Sequence, residues 1–257
     1  MKKLLSLTLA LLMLFGCMST AFAASPSASV YVTVAVKGTL AVAQQKVSVT
    51  DIDGDNALTV NDALYAVHKA KYSGGADAGY SYYTHKDYGL SLGKLWGDSS
   101  GNFGYYLNNA SCWSLADTVK DGDYLNAFVY SDGKYFSDVY CFFETNTVNA
   151  EKGEKITLTL KGAGYDASWN PITVPVKGAT ITVNGTATDV KTDANGNATI
   201  SIEKNGTYVI SAVSSSQTLV PPVCTAKIGS FDILSLITSI ISIIINAVSS
   251  LFSSILK

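Results

Sequence analysis

Residues 192–213 read TDANGNATISIEKNGTYVISAV and contain two Asn-Gly pairs, each followed by a short apolar or alternating run. Asparagine and glycine both tolerate positive φ, so an Asn-Gly pair favours a tight turn between antiparallel strands. The pattern recurs upstream, with a third pair at Asn184-Gly185 and further apolar runs at residues 156–160 and 179–183. Short strands separated by turns at this regular spacing predict a β-sandwich over residues 146–228.

The same stretch resembles the bacterial Ig-like repeats of surface proteins. In those repeats a TDANG turn precedes a strand, here within residues 192–199, and a GTY step enters the last strands, here within residues 206–212. The resemblance implies an Ig-like sandwich that serves as a stalk or spacer. It implies no particular ligand, and the aspartate and asparagine of the turn are typical of ordinary polar turns.

The part of the chain before this sandwich combines strand and helix signals. Residues 30–36 are rich in valine and predict a strand, residues 60–71 predict a helix, and aromatic strands follow as far as residue 143. Strands, one helix and then more strands favour an α+β domain in which the helix packs across a mixed sheet. We therefore expect a mainly β chain with a first domain at residues 28–145.

Residues 51–62, DIDGDNALTVND, carry the most specific motif in the chain. Read as an EF-hand loop, they place aspartates at positions 1, 3, 5 and 12, a backbone carbonyl at position 7 and a threonine at position 9. Carboxylates this close together repel one another unless a divalent cation neutralises them. The predicted Ca²⁺ ligands are Asp51, Asp53, Asp55, Ala57, Thr59 and Asp62.

Together with the helix that follows it, this loop resembles a single dockerin-type calcium repeat, whereas dockerins carry two. An alternative interpretation of the same residues needs no metal. Thr59 and Asp62 match a capping box at the start of the predicted helix, and the earlier aspartates then form a polar turn.

Three motifs further along resemble the transcobalamin-like C-terminal domain of bacterial secreted proteins. They are YGLS at residues 88–91, NFGYYLNN at residues 102–109 and KDGD at residues 120–123. The resemblance implies a β-grasp-like fold over residues 28–145 and the binding of an extracellular ligand. In transcobalamin this domain covers a corrin opposite an α/α barrel, which this sequence does not show.

Ten of the 15 tyrosines lie between residues 80 and 140. Aromatic rings at this density can form a surface that stacks on sugars or other flat ligands. The alternative is that they line the solvent-exposed face of an antiparallel sheet. The candidate ligand-binding residues are Tyr105, Tyr106, Asn108 and Trp113. A G-x-S-x-G match at residues 89–93 lacks the helix and the later histidine of a nucleophile elbow, so no catalytic residue is predicted.

The two ends of the chain carry much of its hydrophobicity. Residues 1–23 have the charged, apolar and small-residue regions of a secretory signal peptide, with a lipoprotein-like box at Cys17 as the alternative. Residues 229–257 predict an apolar helix with a Ser/Thr/Asn stripe, which spans a membrane, lies in its surface or packs in a core. We expect an exported protein of the cell surface that associates with the membrane through this helix.

The composition excludes one class of partner, and the cysteine content leaves two interpretations. All 18 basic residues are lysine and the net charge is −2, which excludes nucleic acid as a partner. Three cysteines follow the signal peptide, and two of them, Cys112 and Cys141, either form a disulfide or lie buried as small apolar side chains; the third is Cys224.

These patterns predict a non-enzymatic surface protein. Its first domain captures an extracellular small molecule or glycan, and its Ig-like domain positions that site. The alternative is a structural or adhesive protein that binds partner proteins, in which calcium only makes the fold rigid.

Overall fold

The computed structural model describes residues 26–229 and residue 241 of the 257 residues. The predicted signal peptide, Cys17 and nearly all of the predicted C-terminal helix lie outside these residues. Strands dominate the described part of the chain, so the expectation of a mainly β protein is confirmed. None of the helices in this part is both long and apolar enough to cross a membrane.

The strands before residue 130 form a five-stranded sheet and a separate two-stranded ribbon. In chain order they are β1 (Ser27–Val36), β2 (Thr39–Thr50), β3 (Ser81–His85), β4 (Gly89–Lys94), β5 (Phe103–Leu107), β6 (Ala110–Ser111) and β7 (Tyr124–Val129). The sheet has the order β2-β1-β7-β5-β6. Strands β1 and β7, which come first and last along the chain, are neighbours inside the sheet and run parallel. The ribbon consists of β3 and β4.

Helix α1 (Val60–Lys71) packs across one face of this sheet, and the short helix α2 (Gly75–Gly79) follows it. The capping box at its start is complete, because Asp62 N–H donates to Thr59 Oγ1 at 3.4 Å and Thr59 N–H donates to Asp62 Oδ2 at 2.8 Å. The buried apolar residues of α1 recur at three- and four-residue steps. They share one core with the inward-facing valines of β1 and β2.

His68 lies on the buried face of α1, and both nitrogens of its ring have partners. Nδ1 lies 2.6 Å from the Leu64 carbonyl oxygen and therefore carries the proton, while Nε2 accepts the Trp96 N–H at 2.9 Å. The rings of Tyr72, Tyr80 and Trp96 lie around it, with centroids 6.1, 5.0 and 5.0 Å away. Because burial disfavours the charged form, the pKa of His68 falls to about 4.

The strands after residue 138 form two sheets around a second core. In chain order they are β8 (Val139–Phe143), β9 (Thr147–Ala150), β10 (Lys155–Tyr165), β11 (Pro171–Pro175), β12 (Thr180–Val183), β13 (Thr186–Lys191), β14 (Asn197–Ser201), β15 (Gly206–Val213), β16 (Leu219–Val220) and β17 (Cys224–Ile228). One sheet has the order β11-β10-β8-β16 with β14 also on β10, and the other has the order β13-β12-β15-β17-β9. Both sheets contribute apolar side chains to the space between them, which makes this half a β-sandwich.

The strand order of the sandwich is that of Ig-like domains. β12, β15 and β17 take the places of strands C, F and G, with β13 beside β12, and β8, β10 and β14 take those of A, B and E. The strand that corresponds to A is divided between the two sheets. After β8 the chain crosses to the other sheet, where β9 pairs in parallel with β17. The Ig-like fold expected from residues 192–213 is confirmed.

One of the three Asn-Gly pairs closes a hairpin. Asn184 and Gly185 have φ values of 49° and 78° and join β12 to β13. The pairs at 195–196 and 205–206 carry the chain from one sheet to the other, so a hairpin interpretation is wrong there. An Asn-Gly pair specifies a local reversal, but it does not select the sheet in which the next strand pairs. At Gly196 the φ is 81° and a Cβ would collide with the Leu160 carbonyl oxygen.

Residues 139–143 differ from the expected division of the chain. The sequence placed this aromatic strand in the first domain, whereas as β8 it pairs with β10 and contributes Cys141 and Phe143 to the core of the sandwich. Strand propensity is the same on either side of a connection between domains, so it cannot assign a strand to a sheet.

Of the two interpretations of Cys112 and Cys141, the disulfide is wrong, because both are free thiols, as is Cys224. The reason is that Cys112 packs against the first core and Cys141 lies in the second. Burial raises the pKa of the Cys112 thiol to about 11 and that of the Cys224 thiol to about 12. These thiols therefore stay protonated and pack as small apolar side chains.

Gln44 connects the first sheet to the sandwich. It lies at a bulge in β2 and has a φ of 41°, in the left-handed region. Its amide nitrogen donates to the carbonyl oxygens of Asn146 and Val223, both at 3.0 Å, and its Oε1 accepts from Thr225 Oγ1 at 2.7 Å. Every polar atom of this side chain therefore bonds to the other half of the molecule.

Tyr140 makes the second connection. Its ring stacks on that of Tyr106 with centroids 3.6 Å apart. Its hydroxyl donates to Asn109 Oδ1 at 2.9 Å and accepts from Asn126 Nδ2 at 3.1 Å. The ring is part of a small third core between the two halves, formed by Ala35, Phe128, Tyr140 and Val220.

We expect the His68 ring to stay neutral until the pH falls to about 4. The unfolded chain takes up this proton near pH 6.5, so the free energy of unfolding rises with pH between these values, and this stabilisation is lost as the pH falls through them. Proton NMR of the histidine ring signals measures the pKa directly, with a His85→Gln variant to assign the two residues. A His68 signal that titrates near its ordinary value would contradict the burial described here.

We expect Gln44→Ala to lower the free energy of unfolding by about 1–3 kcal/mol, because it leaves two carbonyls and a hydroxyl without their partner. The matched control is Gln45→Ala on the same strand, whose amide bonds only to the Lys46 carbonyl oxygen. The control should change stability by less than about 0.5 kcal/mol. Urea denaturation followed by tryptophan fluorescence compares the two, and equal losses would argue against the connection.

Candidate functional site

The acidic loop between β2 and α1 brings three of the predicted calcium ligands together. One carboxylate oxygen from each of Asp51, Asp53 and Asp55 lies within 4.8 Å of the others. Asp51 shapes the turn, since it accepts the N–H groups of Gly54 at 2.7 Å and Asn56 at 2.9 Å. These bonds lower the pKa of Asp51.

Asp53 has a different environment from Asp51. Its partial burial, with the charges of Asp55 and Asp62 nearby, raises its pKa. Its Oδ2 accepts from the buried Asn61 Nδ2 at 3.1 Å, and Asn61 Oδ1 in turn accepts the Tyr80 hydroxyl at 2.6 Å. The loop is therefore connected by hydrogen bonds to the core around His68.

Thr59 and Asp62 lie apart from this carboxylate cluster. Asp62 is buried, its Oδ1 accepts the Ile52 N–H at 2.9 Å, and its Oδ2 accepts both the N–H and the hydroxyl of Thr59 at 2.8 and 2.7 Å. Near the middle of the loop, Ala57 N–H donates to Asp55 Oδ1 at 2.8 Å. Of the six predicted ligands, the structure clusters the carboxylates of three and places two in the capping box. The clustered oxygens are of the kind that hard divalent cations prefer.

The predicted ligand-binding tyrosines face opposite sides of the first sheet. Successive side chains on a strand alternate, so Tyr105 packs against the core under α1 while Tyr106 stacks on Tyr140. Burial raises the pKa of both to about 12. Neither ring is free to form one side of an open ligand surface.

The other two predicted residues have separate positions. Asn108 is a turn residue with a φ of 50°, and its side chain donates to Asp123 Oδ1 at 2.9 Å and accepts the Tyr124 N–H at 3.0 Å. Trp113 is 93% exposed. The four candidates thus do not form one site, and Trp113 alone among them presents an open aromatic ring.

An exposed aromatic row lies on the β3–β4 ribbon. The His85 ring stacks on Tyr88 with centroids 4.7 Å apart, and Tyr83 lies edge-on to His85 at 6.4 Å. Tyr83 is 50% exposed and Tyr88 is 74% exposed. We call these three residues the ribbon row.

The loop that carries Trp113 lies along the same ribbon. The N–H of Leu115 and the hydroxyl of Ser114 both donate to the Leu90 carbonyl oxygen of β4 at 3.2 Å. The sequence signal for the ribbon row lies in residues 81–88, SYYTHKDY, where tyrosines and a histidine occur with no aliphatic residue among them. Strand propensity does not distinguish these residues from the other aromatic strands, because it does not show which rings stay exposed.

The G-x-S-x-G match lies within β4. Ser91 Oγ donates to the Gly89 carbonyl oxygen at 3.1 Å, and the backbone is an extended strand rather than a turn into a helix. A nucleophile elbow requires that turn to expose the serine, so this geometry does not provide one.

No protein-family model and no curated protein matches the chain. Among solved structures it is similar to the N-terminal four Ig domains of Dscam1 isoform 4.4, with 10% identity, coverage of 78% of this chain and 43% of that chain, and a TM-score of 0.24. It is also similar to the tandem Ig repeats of Dlar (14% identity, 80% and 100% coverage, TM-score 0.25) and to Sidekick-1 Ig domains 1–4 (12%, 80% and 51%, TM-score 0.23). With TM-scores this low, the Ig-like character of β8–β17 rests on their own strand order.

Proposed function

We propose that this chain is a non-enzymatic binding protein of the cell surface and that the ribbon row captures a neutral glycan or another flat extracellular ligand. The observation that carries the proposal is the row itself, in which the rings of Tyr83 and Tyr88 lie beside His85 and stay exposed among the described residues. Aromatic faces of this kind stack on the C–H faces of sugars. Export and membrane association are proposed from residues 1–23 and 229–257.

The scaffold of this site is, in our proposal, a transcobalamin-like module with a β-grasp-like fold. Three features support it: the β1–β2 hairpin precedes a helix, the final strand β7 lies parallel to β1, and both occupy the centre of the order β2-β1-β7-β5-β6. We place the end of this module between β7 and β8, earlier than residue 145. The Ig-like sandwich then acts as the spacer that positions it.

We also propose that Asp51, Asp53 and Asp55 bind Ca²⁺. Their carboxylates converge within 4.8 Å on an exposed loop, and like charges contribute to the raised pKa of Asp53. A divalent cation would neutralise this charge. Its role would be to stiffen the loop, with no part in chemistry.

The glycan proposal predicts that Tyr88→Ala weakens binding to a soluble neutral polysaccharide about tenfold, because one stacking contact is lost. Isothermal titration against soluble starch, xylan and mixed-linkage β-glucan makes the measurement. Tyr135→Ala is the matched control, since Tyr135 is 71% exposed on another loop.

Two results would contradict the glycan proposal: no binding to any of these polysaccharides, or an equal loss of affinity in the Tyr88→Ala and Tyr135→Ala variants. Binding to a protein with no loss in Tyr88→Ala would favour the adhesive alternative instead.

The calcium proposal predicts that Ca²⁺ at about a hundred times its Kd stabilises the metal-free protein by about 2.7 kcal/mol. Asp53→Asn should abolish this gain, while Asp77→Asn, at an exposed aspartate of α2, should retain it. Thermal unfolding with calcium and with a chelator tests this, and identical melting temperatures would exclude the site.

A further inference from the structure

A groove of 460 Å³ runs between β2 and α1. β2 is an edge strand, because β1 pairs with one of its sides and no strand in the described residues pairs with the other. Val47 and Ile52 line the groove from the strand side, and Tyr65 and Ala66 line it from the helix. The groove therefore combines an open strand edge with an apolar wall.

The strand edge beside the groove is regular. From residue 45 to residue 50, β2 pairs with β1 without a register shift, and its side chains alternate between buried and exposed. In such a strand the N–H and C=O groups of alternate residues point away from the partner strand, where another strand can pair with them. Among these groups, the Lys46 carbonyl oxygen accepts the exposed side-chain amide of Gln45 at 2.8 Å, a bond that an added strand would replace. An extended segment of about five residues can therefore add here.

The two ends of the groove carry opposite charge. Lys46 and Lys69 line one end, and neither forms a salt bridge with another described residue. Ile52 and Asp62 line the other end, which adjoins the acidic loop. Both oxygens of Asp62 are already paired, so the lysines are the charged groups that remain available to a ligand.

We propose that this groove binds an extended peptide that adds antiparallel to β2 and ends in acidic residues. An antiparallel strand runs from the Ile52 end to the Lys46 end, so its C-terminal carboxylates meet the two lysines. A parallel strand would bring the same carboxylates to the acidic loop. Apolar side chains at alternate positions of the peptide would contact Val47, Tyr65 and Ala66.

The test uses the full chain and fluorophore-labelled hexapeptides in fluorescence polarisation. TVTVEE should bind about tenfold more tightly than TVTVKK, because each lysine contributes a partly exposed ion pair. TVTVEE with alternate amides N-methylated should lose binding, since it cannot complete the strand pairing. This last probe changes only the peptide, so it cannot be confused with misfolding of the protein.

Charge reversal supplies the matched protein variants. The double variant Lys46→Glu/Lys69→Glu should prefer TVTVKK, while Lys71→Glu, on the same helix but outside the groove lining, should keep the preference for TVTVEE. Equal binding of the two peptides, or the same preference in the double variant, would overturn the proposal. A dimer that dissociates on charge reversal would also overturn it, because a second copy would then occupy the edge. Tyr88→Ala should leave peptide binding unchanged, which separates this outcome from that of the glycan proposal.

Discussion

The hydrogen bonds of Gln44, together with the third core around Tyr140, hold the two halves of the molecule in their arrangement. Gln44 has a backbone conformation that costs a non-glycine residue on the order of 1–3 kcal/mol. Its three contacts with Asn146, Val223 and Thr225 offset that cost, and they require the bulge that turns its side chain toward the sandwich. Two of these bonds end on the backbone just before β9 and just before β17, and the third ends on the Thr225 hydroxyl in β17, so one side chain holds both strands against the first sheet.

The packing of α1 and of the sandwich against the first sheet leaves only some of its surfaces open. α1 covers one face, and the stacking of Tyr140 on Tyr106 covers part of the other. The outer edge of β2 remains open, and the separate β3–β4 ribbon pairs with no other strand in the described part of the chain. The two proposed binding surfaces are the places where neither the helix nor the sandwich completes the packing, so they follow from the same architecture.

The sequence predicts well which residues form strands and helices, but it predicts poorly which side chains and strands pack against one another. The valine-rich strand, the helix at residues 60–71 and the capping box follow from propensity, period and a short motif, and the structure has all three. The placement of Tyr106 does not follow, because alternation tells that it opposes Tyr105 but not that Tyr140 will cover it. Likewise, the spacing of the loop predicts that three aspartates come together, and they do. Asp62, in contrast, matches both a metal-ligand position and a capping position in the sequence. Only the folded structure shows that its oxygens bond within the capping box.

A chain of contacts through the buried side chains of Asn61, Tyr80 and His68 links the acidic loop to the end of the ribbon. Asp53 accepts from Asn61, Asn61 accepts from Tyr80, and the Tyr80 ring lies against His68, whose Nε2 accepts the Trp96 N–H just beyond β4. Moving any of these groups would leave a buried donor or acceptor without its partner, which costs more in a low-dielectric interior than at the surface. The network thus connects the acidic loop, through the core around His68, to the residues that directly follow the ribbon.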